Sequence, residues 1–379
     1  MASLTKKTGY MPSLDGWRAL AILGVIMAHD LPWKVGRFSN ENQQFLGSYG
    51  VYLFFAISGF LICTRILQEE SALGHFNIKS FYIRRFFRIQ PASMAYLSVV
   101  LLLMLCGLIH EYWRFWLGAV FFYANFVSHV GDVSNGSFTG HFWTLSVEEH
   151  FYILLSLLLF FFRRHRIKIF AGIIFIIWAL QNIARDHNFY FHEAAPRRTY
   201  WIILYFLGPS LLALLLRKPK IHAWAIRWLR PWVAYSITVA LMLASRLRRI
   251  SDWHSICNVH ILSDQRAYLF FGFSLWIIAT VLHPRSISTR LLELAPIRFL
   301  GRISYSIYLW HIPFFVAALP GNEITWLPLH FLSGRPWKYI ATLCAACLSY
   351  YFIEKPLIRT GHRLAPPVTP GHQDLRVSQ

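Results

Sequence analysis

The side chains of this protein that could do acid–base or anion chemistry stand inside or beside apolar stretches. In WRALAILGVIMAHD, residues 17–30, Arg18 and His29 are eleven positions apart. At ~100° and ~1.5 Å per residue, a helix puts them on nearly one face, about 16 Å apart along its axis. A permanent cation then sits at one end of the helix. An imidazole with an unperturbed pKa of about 6.5, suited to general-base work, sits well along it. In IRRFFRIQPA, Arg84, Arg85 and Arg88 lie within one or two helical turns. Such a cluster binds anionic headgroups or, more sharply, clamps phosphate oxygens with guanidinium forks. GHFWTLSVEEHFY, residues 140–152, is the most heavily loaded stretch. Glu148 and Glu149 begin an apolar run there, flanked by His141, Trp143 and His150. Capping by Thr144 or Ser146 and the helix N-terminus account for one glutamate, not for two between histidines. RISYSIYLWHIPFF supplies Tyr305 and His311, YYFIEKPLIR supplies Glu354, and Ser58 stands in GVYLFFAISGFLI. One such group is commonly a satisfied interhelical hydrogen bonder, and Ser58–Gly59 also suits close helix packing. Several together indicate a polar pocket, because each ionisable group at bilayer depth costs at least about 2.5–3.5 kcal/mol.

The elements that must hold these groups are membrane helices. The 379 residues are 56% hydrophobic and only 14% charged, against roughly a quarter charged in soluble domains. The apolar residues come in blocks such as YLSVVLLLMLCGLIH and YILLSLLLFFF, near the ~17–25 residues that cross a bilayer and flanked by Lys, Arg, Trp or Tyr. The expected fold is an all-α polytopic membrane protein with about ten spans: 15–33, 48–66, 93–110, 148–162, 167–183, 199–216, 232–246, 267–283, 302–319 and 337–354. The net charge of +20 is carried mostly by short loops between these blocks. That is the pattern of topology signals and headgroup contacts, and it argues against nucleic acid.

An eleventh apolar piece, 113–127, decides the topology. If it does not span and the N-terminus is cytoplasmic, cytoplasmic stretches carry 24 of the Lys and Arg residues and outer stretches 11. If it spans, every later loop flips, and the 17 of those 24 that lie from Arg163 onward face outward. The positive-inside rule favours the first arrangement, with both termini cytoplasmic and 113–127 re-entrant or interfacial. The outer loop at 128–147 lacks Lys and Arg and suits an irregular segment beside a cavity. The basic outer loop around Trp253 and His254 is a candidate acceptor contact. No disulfide framework is implied, and Cys344 and Cys347 form a CxxC without partner ligands, so no metal site is expected. No cleavable signal follows from the N-terminal sequence.

Taken together, the Arg-x10-His pair, FFAISGFLI, RRFFRIQP, WTLSVEEHFY, SYSIYLWHIP and IEKP resemble, in order, the motifs of the acyltransferase-3 family of bacterial integral-membrane O-acyltransferases. The resemblance runs over most of the chain. Thr144 stands where Ser is commoner, and His150 where Gln is common. Its implications are a membrane acyltransferase domain over 1–360, a disordered cytoplasmic tail over 361–379, and a multi-pass place in the bacterial cytoplasmic membrane. The implied reaction moves an acyl group, usually acetyl, from cytoplasmic acyl-CoA to a hydroxyl of an extracytoplasmic glycan or glycolipid such as lipopolysaccharide O-antigen or exopolysaccharide. No permanently bound cofactor is implied. With that chemistry, His29 is the expected base, and Glu148 orients it or binds the acceptor. Arg18, Arg84, Arg85 and Arg88 hold the CoA phosphates. Ser58, Trp143, Tyr305 and His311 line the pocket, His311 being a second candidate base. The domain that some family members carry after the membrane part is not expected here. A small secreted acceptor is the nearest rival reading. A transporter or flippase is a more distant one, disfavoured because no internal repeat is visible.

Overall fold

The computed structural model describes residues 10–30, 40–127, 137–186, 199–250, 265–316 and 327–367. Among them every regular element is a helix. The first six helices are α1 (Pro12–His29), α2 (Asn40–Leu73), α3 (Ile78–Leu105), α4 (Trp113–Val120), α5 (Ala124–Val127) and α6 (Phe142–Phe161). Next come α7 (Arg166–Asp186), α8 (Thr199–Ile202), α9 (Leu204–Leu215), α10 (Pro219–Trp228), α11 (Pro231–Ile250) and α12 (Gln265–Leu282). The last are α13 (Ile287–Leu292), α14 (Ala295–Arg302), α15 (Ser304–Val316), α16 (Leu327–Leu332), α17 (Trp337–Leu348) and α18 (Lys355–Leu364). Between α17 and α18 the chain widens into a π-helical turn, Ser349–Glu354.

Each of the ten expected segments falls wholly or partly on these helices. Three stretches are long and apolar enough to cross a membrane by length and composition: Leu46–Leu73, Ile78–Leu105 and Phe142–Phe161. The segment 113–127 breaks at Phe122, whose φ is 55°, into α4 and α5. The eight residues of α4 rise only ~12 Å, against a ~30 Å hydrocarbon core. The basic connections expected on the cytoplasmic side are themselves helical at α10, α13 and α14. Residues 361–364, expected in the disordered tail, are the end of α18. Trp253 and His254 lie outside the described residues.

One expected boundary moves. The fourth span was placed from 148, after a loop and a cap at Thr144 or Ser146. Instead α6 begins at Phe142, and neither hydroxyl caps it. The Ser146 hydroxyl donates to the Phe142 carbonyl at 3.0 Å, and that of Thr144 to the His141 carbonyl at 3.1 Å. Polar side chains absorbed in this way by their own helix do not mark a loop. Glu148 therefore sits about 9 Å inside the helix, six residues at ~1.5 Å each.

The centre of the bundle is a seam where backbones touch. A Cβ at Gly50 would overlap the Ala21 carbonyl oxygen, joining α2 to α1. One at Gly59 would overlap the Phe206 carbonyl oxygen, joining α2 to α9. Glycine at these positions permits the approach that places Arg18 and Ser58 around one cavity. One buried carboxylate is held by two cations. Asp30, 1% exposed, binds Arg335 at 3.0 Å and also Lys338 and Tyr339.

Candidate active site

A cavity of about 350 Å³ opens between α1, α2, α3, α6 and α15, bounded also by α14 and the π-helical turn. Five arginines line it. Arg65, Arg88 and Arg302 are exposed and ring the mouth, while Arg18 and Arg85 are half-buried. They come from four different helices, so the concentration of positive charge is a property of the fold rather than of one basic loop. Arg18 has a weak local partner in Asp15 at 3.7 Å. The Arg85 guanidinium lies over the Tyr152 ring, 4.9 Å from its centroid. That cation–π contact orients the guanidinium while its N–H groups stay available to an anion.

Glu148 enters the same cavity from α6. Its carboxylate accepts a hydrogen bond from the Ser58 hydroxyl at 2.5 Å and another from the Tyr152 hydroxyl, one turn further along the helix. Glu354 enters from the π-helical turn, 4% exposed, and accepts from the Ser306 hydroxyl. The extra residue in a π turn is a recurrent way to aim a side chain into a site. The Tyr305 hydroxyl lines the cavity and donates to the Ile89 carbonyl at 2.8 Å.

Beyond Thr144 and Tyr308, which both line the cavity, three histidines meet. The ring centroids of His29 and His311 are 4.9 Å apart, and those of His141 and His311 are 5.7 Å apart. The Tyr308 hydroxyl donates to the Thr144 oxygen at 2.6 Å, and Thr144 in turn donates to the His141 carbonyl, which also lies 2.9 Å from the Tyr308 oxygen. These two hydroxyls thus partition the arginine-lined cavity from the imidazoles. His141 and His311 are buried, whereas His29 is half-buried. The Nδ1 atoms of His29 and His311 lie 2.9 Å from the Val25 carbonyl and 2.7 Å from the Tyr308 carbonyl. A carbonyl only accepts, so each Nδ1 carries the proton, and in the neutral ring Nε2 carries the lone pair. Although three imidazoles meet, no group of three metal-ligating side chains among the described residues is disposed to hold a metal ion.

The residues expected from sequence divide in three. Arg18, Arg85, Arg88, Ser58, Glu148 and Tyr305 are brought together around the cavity. His29 and His311 are brought together in the adjoining cluster. Arg84 and Trp143 do not line the cavity. Arg84 is turned to Glu69 at 2.5 Å, because on a helix it lies ~100° from Arg85. Trp143 packs edge-on against Phe55, 6.4 Å between centroids. Glu148 shares the arginine cavity and is engaged by Ser58 and Tyr152. His150 faces Thr199 at 2.8 Å.

Sequence reasoning did not single out Arg65, Tyr152, Tyr308 or the role of His141. Helical spacing carries two of these: Tyr152 is four residues after Glu148, and Tyr308 three before His311.

The family model described as an acyltransferase domain, acyltransferase-3, matches residues 11–354. A Staphylococcus aureus (strain MSSA476) relative carrying a provisional O-acetyltransferase name is 32% identical over 388 residues, covering 94% of this chain and 58% of the relative. The peptidoglycan O-acetyltransferase OatA of Listeria monocytogenes is 29% identical, covering 93% of this chain and 56% of that protein. The O-acetyltransferase OatA of Staphylococcus aureus (strain NCTC 8325 / PS 47) is 28% identical, with 93% and 58% covered. The chain thus spans little more than half the length of these relatives. No solved structure matches it. A family match that extends over nearly the whole chain, on an all-helical architecture with membrane-length apolar helices, places this protein in the acyltransferase-3 family.

Proposed function

We propose that this protein is a multi-pass enzyme of the bacterial cytoplasmic membrane. It moves an acetyl group from cytoplasmic acetyl-CoA to a hydroxyl of an extracytoplasmic glycan. The observation that carries the reading is the juxtaposition of an arginine-lined cavity with a histidine cluster behind two hydroxyls. Arg65, Arg88 and Arg302 at the mouth meet the CoA phosphates, and Arg18 and Arg85 follow further in. An extended pantetheine arm covers the ~16 Å between the ends of the Arg18–His29 pair, so the nucleotide stays at the cytoplasmic face.

His29 is the base. Its Nδ1 proton is committed to Val25, and it is the one half-buried ring of the three, which leaves it reachable by an acceptor. The acceptor hydroxyl gives its proton to Nε2 as its oxygen bonds to the thioester carbonyl carbon. The carbon–sulfur bond breaks, and the imidazolium returns the proton to the CoA thiolate. Glu148, held by Ser58 and Tyr152, orients the arriving thioester rather than the imidazole. The name of the Listeria monocytogenes OatA relative adds peptidoglycan to the glycan and glycolipid acceptors.

The test is mass spectrometry of peptidoglycan, O-antigen, exopolysaccharide and secreted small molecules from a deletion strain, complemented with wild type or His29→Ala. The expected result is loss of an acetyl group from one glycan, restored by wild type alone. Restoration by His29→Ala refutes the base assignment. An unchanged glycan with a lost acyl group on a secreted small molecule refutes the acceptor class.

A further inference from the structure

A second cavity, of about 440 Å³, lies away from the arginine and histidine groups, between the C-terminal end of α2, the α6–α7 turn and the end of α9. Its walls are basic: Arg163, Arg164, Arg166 and Lys168 on the turn and the start of α7, and Arg217 and Lys218 after α9. Glu70 is the one carboxylate among its lining residues. That carboxylate is already engaged, with Arg163 at 2.6 Å and Arg166 at 2.5 Å. Arg166 is further held by the Leu159 carbonyl, its Nε at 3.0 Å. Arg217 reaches only the Ser71 hydroxyl. The cavity therefore keeps four cations, Arg164, Lys168, Arg217 and Lys218, with no carboxylate partner in its wall. The start of α7, with its free backbone N–H groups, opens on the same space.

Two observations select the occupant. The residues leading into the turn, Phe160, Phe161 and Phe162, are 43%, 68% and 46% exposed. Such a run of exposed aromatics is stable only against lipid, so the cavity sits where the hydrocarbon ends. The charge count also assigns this end of the bundle to the cytoplasmic leaflet, where anionic lipids meet basic pockets between helices.

We propose that this cavity is a binding site for the phosphate headgroup of an anionic phospholipid of the cytoplasmic leaflet. The phosphate lies among Arg164, Lys168, Arg217 and Lys218, and the acyl chains run along Phe160–Phe162. Glu70 fixes Arg163 and Arg166 as the rigid floor of the site. None of these residues lines the candidate active site, so this inference stands apart from the proposed reaction.

The test uses the full-length protein, purified in detergent and supplied with phosphatidylglycerol or phosphatidylcholine. Native mass spectrometry counts retained lipid, and melting curves follow stability. Wild type should retain phosphatidylglycerol in preference to phosphatidylcholine and melt higher with it. Arg164→Gln/Lys168→Gln/Arg217→Gln/Lys218→Gln should lose one bound phosphatidylglycerol, with affinity falling roughly fivefold per charge removed. The charge-keeping variant Arg164→Lys/Lys168→Arg/Arg217→Lys/Lys218→Arg should keep the lipid, which separates charge loss from misfolding. Equal retention by wild type and the Gln variant overturns the proposal. So does displacement of the lipid by millimolar inorganic phosphate or CoA, which would make this a site for soluble anions.

Discussion

Neutralising Arg85 while keeping its shape as far as possible, as Arg85→Gln, tests the donor end of the site quantitatively. Arg85 is half-buried beside Glu148 and Tyr152, whereas Arg88 is exposed at the mouth. A unit charge about 4 Å from a phosphate oxygen is worth ~4 kcal/mol at an effective dielectric of ~20, but ~1 kcal/mol in water. Charge-assisted hydrogen bonds contribute about 1.5–3 kcal/mol net. Arg85→Gln should therefore weaken CoA binding roughly 10–100-fold, and Arg88→Gln only about 2–5-fold. Arg85→Lys should fall between them, because it keeps the charge and loses the fork. The assay is calorimetric titration of CoA into the purified protein, which needs no acceptor. Melting curves run alongside, since loss of the contact over Tyr152 costs about 0.5–1 kcal/mol of stability irrespective of donor. Wild-type affinity in Arg85→Gln, or an equal effect of Arg88→Gln, refutes the placement of the phosphates along this cavity.

Three further outcomes follow from the same geometry. His29→Ala should abolish acetyl transfer with CoA affinity within about twofold of wild type, measured by the same titration; a parallel loss of binding contradicts a base role. Arg84→Gln should leave CoA affinity unchanged yet lower the melting temperature, because it strands Glu69, 6% exposed. Breaking a buried pair costs about 3 kcal/mol, so an unaltered melting curve contradicts that pairing. Tyr308→Phe opens the partition between cavity and imidazoles. It should raise CoA release from acetyl-CoA in the absence of acceptor, followed by thiol detection, and no change contradicts the partition.

Much of the fold was legible because its signals are local. Apolar blocks of near-spanning length each depend on a few consecutive residues. The phase of Arg18 against His29 was legible for the same reason: one helix carries both. Where α6 begins was not, because Thr144 and Ser146 read as caps in one dimension and bond to carbonyls of their own turn in three. That register sets Glu148 six residues into the helix, beside Ser58 and Tyr152. Arg84 and Arg85 are indistinguishable by type. Only the position of Glu69 on α2 fixes which of them turns away. His141 was visible beside the glutamates, but its meeting with His29 and His311 depends on how three separate helices cross.

The glycine seam has a mechanical consequence. Where Gly50 touches the Ala21 carbonyl and Gly59 the Phe206 carbonyl, backbone meets backbone with no side chain of the glycine positions to change rotamer or slide. The cores of α1, α2 and α9 are consequently bound to one another as a stator, with Arg18, His29 and Ser58 fixed upon it. A bulky residue at Gly50 would damage that frame and shift both ends of the site together, rather than slow one step.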